Sequence, residues 1–218
     1  MTYIVFYAII LITVIDWFSL FLYIGDSENQ FKLTVMKYII VLSIVTIFSF
    51  KAFSQLGIYG RYTESGKVEM DFNFYGTKKI SKKVNLTTFL LVEKTWSEAL
   101  VGISYSPKDW IEFGASIGIE QNSALYRTAA FVWLGKGKTS FLSLWEKGDG
   151  ADNYWYNSTL SYKFKEKFSL GIRTWRYHGT GPVATYTVKK LDTKVWLMPA
   201  YDFESSKQRV MLGISVKL

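Results

Sequence analysis

The sequence has no cysteine, a single histidine (His178) and three prolines among 218 residues. Without cysteine there are neither disulfides nor thiolate metal sites, so hydrogen bonds and packing alone must hold the fold together. One histidine excludes an imidazole cluster for a transition metal and leaves a hydrolytic site a single candidate base. Beyond residue 55 the chain also lacks helical periodicity of useful length. What it has instead is 49% hydrophobic residues, 18% aromatic residues, 16 glycines and 15 tyrosines, a composition rich in strands and interfaces rather than in disorder. The length suits one domain. The formal net charge of +8 fits nucleic acid, an anionic membrane surface or acidic solutes, and the position of the charge has to decide among them.

Two apolar stretches precede the rest. Met36 and Lys37 form a short positive start, Ile39 to Phe50 an apolar run, and Ala52 and Ser54 a pair of small residues two apart. Together they meet the requirements of a signal peptide, and the run is short for a membrane span. Upstream, Tyr3 to Ile24 is of spanning length but is broken by Asp16, which is costly in a lone membrane helix. The expected organisation is therefore an upstream mis-start or extra hydrophobic helix over 1–35, a signal peptide over 36–54, and a β domain over 55–218. The ending at Gln55 resembles exported proteins of Bacteroidota-type bacteria, whose mature chains often begin with Gln.

From there the chain alternates with a period of two. Ile111, Phe113, Ala115, Ile117 and Ile119 share one face, against Glu112, Gly114, Ser116, Gly118 and Glu120. Val210, Leu212, Ile214, Val216 and Leu218 oppose Arg209, Met211, Gly213, Ser215 and Lys217 in the same way. Three further segments follow the rule: 68–75, 98–105 and 168–175. The polar faces mix charge with Gly and Ser, which would solubilise an open sheet poorly but would make room for long side chains in a narrow lumen. Segments of about ten residues suit tilted membrane strands.

The pattern predicts twelve strands, near 55–62, 67–76, 84–93, 97–106, 110–120, 124–134, 139–147, 154–164, 168–177, 183–190, 194–203 and 208–218, or ten if two of the weaker ones merge. Turn signals separate them, among them Pro107-Lys108-Asp109, Gly135-Lys136-Gly137, Gly148-Asp149-Gly150 and Gly179-Thr180-Gly181-Pro182. An even count places both ends of the β domain on the periplasmic side. This architecture resembles small bacterial outer-membrane β-barrels, and the apolar final strand resembles their C-terminal sorting strand, although Leu218 stands where those usually end in Phe. The expected fold class is all-β, an antiparallel transmembrane β-barrel, in the outer membrane of a Gram-negative bacterium. Trp96, Trp110, Trp133, Trp145 and Trp155, with Tyr62, Tyr75, Tyr105, Tyr126, Tyr154 and Tyr201, fall near strand ends, where interfacial belts would place them.

Catalytic signals are thin. His178 lies in the expected loop His178–Pro182, and the His-x-Ser pattern of outer-membrane phospholipases meets Thr180 at the nucleophile position. Gly148 to Asn153 has oxygen ligands but lacks EF-hand spacing, and Gly135 to Thr139 echoes a phosphate loop without its upstream glycine or its helix. Neither an enzyme, a metal nor a cofactor is expected.

Charge is more informative. Alternation points Glu69, Asp71, Glu93, Glu98, Glu112 and Glu120 inward, against Arg61, Arg127, Lys163, Arg173, Lys194, Arg209 and Lys217. Such charges can pair and plug a lumen, or line a path through it. Lys78, Lys79, Lys82, Lys83, Lys108, Lys136, Lys138, Lys165, Lys167, Lys189 and Lys190 are expected in even-numbered turns at one end, against Asp109, Glu166 and Asp192. The rim reads first as an anchor in anionic headgroups and second as a funnel for anionic solutes. Nucleic-acid binding lacks a basic helix or a stacking surface. The expected function is a porin-like channel for passive passage of small hydrophilic solutes, with the lipid bilayer as partner. The alternatives are a closed structural or adhesion barrel, and an inner-membrane-anchored protein with a soluble β domain.

Overall fold

The computed structural model describes residues 53–63, 66–121 and 126–218. The signal segment expected over 36–54, Phe53 and Ser54 apart, and the upstream stretch 1–35 lie outside them. Twelve strands follow one another: β1 Phe53–Thr63, β2 Val68–Lys79, β3 Val84–Val92, β4 Ser97–Lys108, β5 Ile111–Glu120, β6 Arg127–Lys136, β7 Thr139–Lys147, β8 Tyr154–Lys165, β9 Phe168–Trp175, β10 Gly179–Val188, β11 Thr193–Asp202 and β12 Lys207–Lys217. Each pairs antiparallel with its neighbours in sequence, and β1 pairs with β12, so the sheet closes on itself. Closure leaves no free edge, which is what a strand must have to cross lipid without stranded backbone polar groups. The seam extends to the chain end, where the Leu218 amide donates to Ser54 O at 2.9 Å. β1 thus begins at Phe53, two residues before the expected mature start.

The alternation that predicts the strands also fixes their faces. Cross-strand partners share a face, and one chain of pairs runs Glu112–Trp133–Leu142–Thr159–Arg173–Gly181. On the inner face, Met198 and Met211 are 0% exposed. On the outer face, Val68, Phe72, Ile117, Ile172 and Leu212 are about half exposed. Apolar side chains out and packed or polar ones in is the pattern of a barrel solvated by lipid. Inner glycines make room for large neighbours: a Cβ at Gly114 would collide with the Phe131 ring, and one at Gly213 with the Trp196 indole.

The turns at the chain-end mouth are tight. Gly137 takes φ 61° in a two-residue hairpin between Lys136 and Thr139, so the echo of a phosphate loop is a turn. Because pairing runs up to such turns, Lys78, Lys79, Lys108, Lys136 and Lys165 are the last residues of strands rather than turn residues. All eleven rim lysines still sit at one end, joined there by a 3₁₀ turn at Lys189–Leu191.

Two expectations are corrected here. The loop expected over His178–Pro182 is strand from Gly179 onward. The register sets Pro182 opposite Pro199, so the two residues without a backbone N–H face each other and neither leaves a partner's carbonyl waiting for it. Gly181 permits the close approach, since a Cβ there would meet Pro199 O. The aromatic belt is also smaller than expected. Tyr62, Tyr105, Trp110, Tyr126, Trp145, Tyr154 and Tyr201 are exposed, but parity puts Tyr75, Trp133 and Trp155 on the inner face, and Trp96 lies against Arg127. Nearness to a strand end does not decide which face a ring takes.

Candidate functional site

A twelve-stranded barrel is wider than the eight-stranded kind that ordinary side chains fill. Closing its lumen takes long or aromatic residues, and these gather at the mouth opposite the chain end. On the wall formed by β1 and β9 to β12, Tyr59, Trp175, Val183, Met198, Ala200 and Met211 form a buried cluster, with Trp155 and Trp196 packed against it. Tyr59 and Trp175 lie 5.0 Å apart between ring centroids, and Trp155 meets Trp175 edge-on at 6.0 Å. Arg173 donates to Thr159 Oγ1 at 2.9 Å and lies 4.9 Å from the Trp196 centroid.

On the facing wall, Arg127 at the start of β6 gathers three carboxylates. Its Nε lies 2.9 Å from Glu98 Oε2 and 2.8 Å from Glu146 Oε2, and its Nη1 lies 2.7 Å from Glu120 Oε2. Nη1 also donates to Asn153 Oδ1 at 3.0 Å, Asn153 Nδ2 donates to Glu120 Oε1, and Trp96 Nε1 donates to Glu98 Oε2 at 3.0 Å. The guanidinium lies 5.2 Å from the centre of the Trp96 ring. All four charged side chains are at most 3% exposed. Away from water, charge-assisted bonds of this kind are strong, and any group left unpaired is expensive.

Side chains of β1 and β2 and of the β3–β4 and β9–β10 turns add to the packing at this mouth. Arg61 donates from Nε and Nη2 to Glu69 Oε2, at 3.1 and 2.7 Å, and from Nη1 to His178 Nε2 at 3.2 Å. His178 is stacked on Trp175 at 3.8 Å with a 7° tilt, and its Nδ1 donates to Arg176 O at 3.1 Å. Burial and then the Arg61 charge push the His178 imidazole down to about 3, so it is neutral at ordinary pH. Glu93, in the turn after β3, is pushed up to about 7 by burial and then by Asp71. Arg176 ties the β9–β10 turn to its neighbours: it pairs with Asp152 at 2.5 Å and Glu204 at 3.4 Å and stacks on Tyr154 at 3.5 Å. Arg209 pairs with Asp202 at 2.8 Å.

The register places every inward-pointing strand charge named from the sequence on the face shared with Met198 and Met211. Two levels of the lumen differ sharply. Near the mouth opposite the chain end, Asp71, Glu98, Glu120 and Arg127 are buried, and Arg61, Glu69 and Arg209 are paired. Near the chain-end mouth, Lys163, Lys194, Lys217 and Leu142 are exposed to solvent and Glu112 is half-buried. Of the rim lysines, Lys189 pairs with Glu166 and Lys108 lies 5.8 Å from the Trp110 ring. Sequence reasoning missed Tyr59, Glu146, Asp202, Trp175 and Arg176. His178, expected in a loop, is buried, and past the turn signal at 148–150 Asp152 and Asn153 hold Arg176 and Arg127. A hydrolase-like pair is not assembled around His178: the Thr180 hydroxyl is bonded to Thr174 Oγ1 at 2.8 Å, and both ring nitrogens are engaged elsewhere.

No family model and no curated protein sequence matches the chain. Solved structures do. A KdgM porin aligns with a TM-score of 0.52 at 11% identity, over 75% of this chain and 99% of that one. A KdgM porin in complex with disordered oligogalacturonate aligns equally well at 12% identity, over the same shares. A NanC porin follows at 0.46 and 10% identity, over 75% of this chain and 100% of that one. The fold is therefore that of bacterial outer-membrane porins.

Proposed function

We propose that this chain is a porin-like channel of the outer membrane, passing small hydrophilic solutes passively and favouring anions. The observation that carries the reading is the division of the inner face. A wet half lined by Lys163, Lys194 and Lys217 opens at the lysine-rich mouth, and a packed collar narrows the opposite half. An even strand count turns the lysine-rich mouth to the periplasm and the collar to the cell surface. Oligogalacturonate, held in the complex of one structural neighbour, is an acidic saccharide, and the same charge class suits the lysines here. The bonding of His178 and Thr180 supports a channel over an enzyme.

A positive mouth enriches anions within a Debye length, about 10 Å at 0.1 M salt. Reversal potentials across a planar bilayer under a KCl gradient should therefore report mild anion selectivity that grows as salt falls. Replacing Lys78, Lys79, Lys82 and Lys83 with Gln should lower the selectivity without unfolding the barrel, because Lys79, Lys82 and Lys83 are exposed and Gln keeps most of the apolar stem of the half-buried Lys78. Cation selectivity, or selectivity indifferent to these lysines, contradicts the proposal. The second reading, a closed barrel without conductance, is favoured by one observation, the complete burial of Met198 and Met211 within the collar.

A further inference from the structure

One group of side chains in the collar is not accounted for by packing or by passage. Asp71 on β2, Glu93 in the β3–β4 turn and His178 in the β9–β10 turn each present a ligand atom within 4.8 Å of the other two. They come from opposite sides of the closed sheet. Asp71 is 1% exposed, and its Oδ2 has no hydrogen-bond partner among the described residues. A carboxylate oxygen so placed is costly unless something meets it.

The surrounding cations do not meet it. Arg61 spends Nε and Nη2 on Glu69 and Nη1 on His178. Arg209 is held by Asp202, and Arg173 is turned to Thr159 and Trp196. Two acids and a neutral imidazole thus converge, with the Tyr59 hydroxyl bonded to both carboxyls and the Arg61 charge nearby, and Asp71 Oδ2 is the atom left for a bound cation to meet.

The histidine is set as a ligand. A carbonyl can only accept, so the contact with Arg176 O places the ring proton on Nδ1, and a guanidinium can only donate, so Nε2 carries a lone pair. A ring N–H given to a backbone carbonyl is the usual support of a metal-bound histidine, because it fixes the tautomer and the ring angle. The stack on Trp175 holds the plane. The turn is held as well. Tyr177 sits at φ 64°, a left-handed conformation that costs a bulky residue energy, and Arg176 on one side is anchored to Asp152 and Glu204. That bend carries His178 back into the lumen.

We propose that Asp71, Glu93 and His178 bind one divalent first-row transition cation of the Zn²⁺ or Mn²⁺ class inside the mouth opposite the chain end. One imidazole and two carboxylates suit such ions better than they suit Ca²⁺ or Mg²⁺, which take oxygen ligands. Ligand atoms around zinc stand about 3.3 Å apart, as bonds near 2.0 Å in a tetrahedron require, so three groups within 4.8 Å of one another close on the ion by up to about 1 Å. As the His178 ring closes on the ion its Nε2 leaves Arg61 Nη1, and the rigid guanidinium stays on Glu69 through Nε and Nη2. The bound ion ties β2 to two turns and locks the collar. None of this depends on whether the barrel conducts.

The test uses the full chain in detergent, stripped with a chelator and titrated with ZnCl2 by calorimetry, with bound metal counted by mass spectrometry. One equivalent should bind. His178→Gln and Glu93→Gln should each weaken binding by about tenfold or more, whereas Asp149→Asn, an exposed carboxylate in the β7–β8 turn at the same mouth and outside the trio, should not. Circular dichroism confirms that each variant keeps its strands, and Glu93, lying in a turn, is the variant most certain to fold. Failure of the unmodified chain to bind zinc, or equal binding by the folded Glu93→Gln and His178→Gln variants, overturns the proposal.

Discussion

Replacing Arg127 with Met is expected to destabilise the barrel by about 3–5 kcal/mol, the cost of breaking a buried ionic network by removing one partner. Arg127 is the one cation that Glu98, Glu120 and Glu146 share, and their side chains are 0–2% exposed. Without it, three buried carboxylates face one another without the guanidinium they share, although Trp96 still donates to Glu98 and Asn153 to Glu120. The acids come from β4, β5 and β7, so their repulsion acts on strands to either side of β6. Urea unfolding in detergent micelles or lipid vesicles measures the loss. Adding Glu98→Gln and Glu146→Gln to Arg127→Met should recover part of it, because neutral amides no longer need a counter-ion. If Arg127→Met alone were as stable as the unmodified chain, the network would be ornamental to the fold.

Charge placed on the outer face should cost nearly as much. Ile117 is 57% exposed and Leu212 54%, both at mid-strand on the face turned from the lumen. In a bilayer that exposure is to hydrocarbon. Ile117→Arg and Leu212→Arg should each destabilise the barrel by about 2–4 kcal/mol, the cost of a basic side chain at the membrane midplane. Ser116→Arg and Ser215→Arg should be milder, since the register turns both positions inward. Folding titrations into lipid vesicles compare the four, and the reverse order would mean that the strands are set one residue out of register.

The barrel itself was legible because β5 alternates cleanly, with one wholly apolar face and one polar face, and β12 does so apart from Gln208 and Met211. Where both faces are apolar, parity left no trace. In β7, Phe141 and Trp145 face out while Leu142 and Leu144 face in, so the inward turn of Glu146 at its end had no pattern to announce it. In β11, Trp196, Met198 and Ala200 fill the lumen between outward Val195 and Leu197, which concealed Asp202 in the same way. The Gly-Thr-Gly-Pro run after His178 carries strong turn chemistry, and only the opposing Pro199 makes it tolerable as a strand. The trio of Asp71, Glu93 and His178 was illegible for another reason. Its members lie far apart in sequence, and barrel closure with the β3–β4 and β9–β10 turns brings them together.

Under the proposed function the barrel conducts through a lumen narrowed by one packed collar. Single-channel recording of the purified chain in a planar bilayer, beside Trp175→Ala, tests it most directly. Trp175 touches Tyr59, Trp155 and His178, so removing its indole opens the collar where the aromatic packing is densest. The expected result is a small conductance for the unmodified chain and a severalfold larger one for the variant. Silence from both, with the strand signal intact, would mean that the barrel is closed and not a channel.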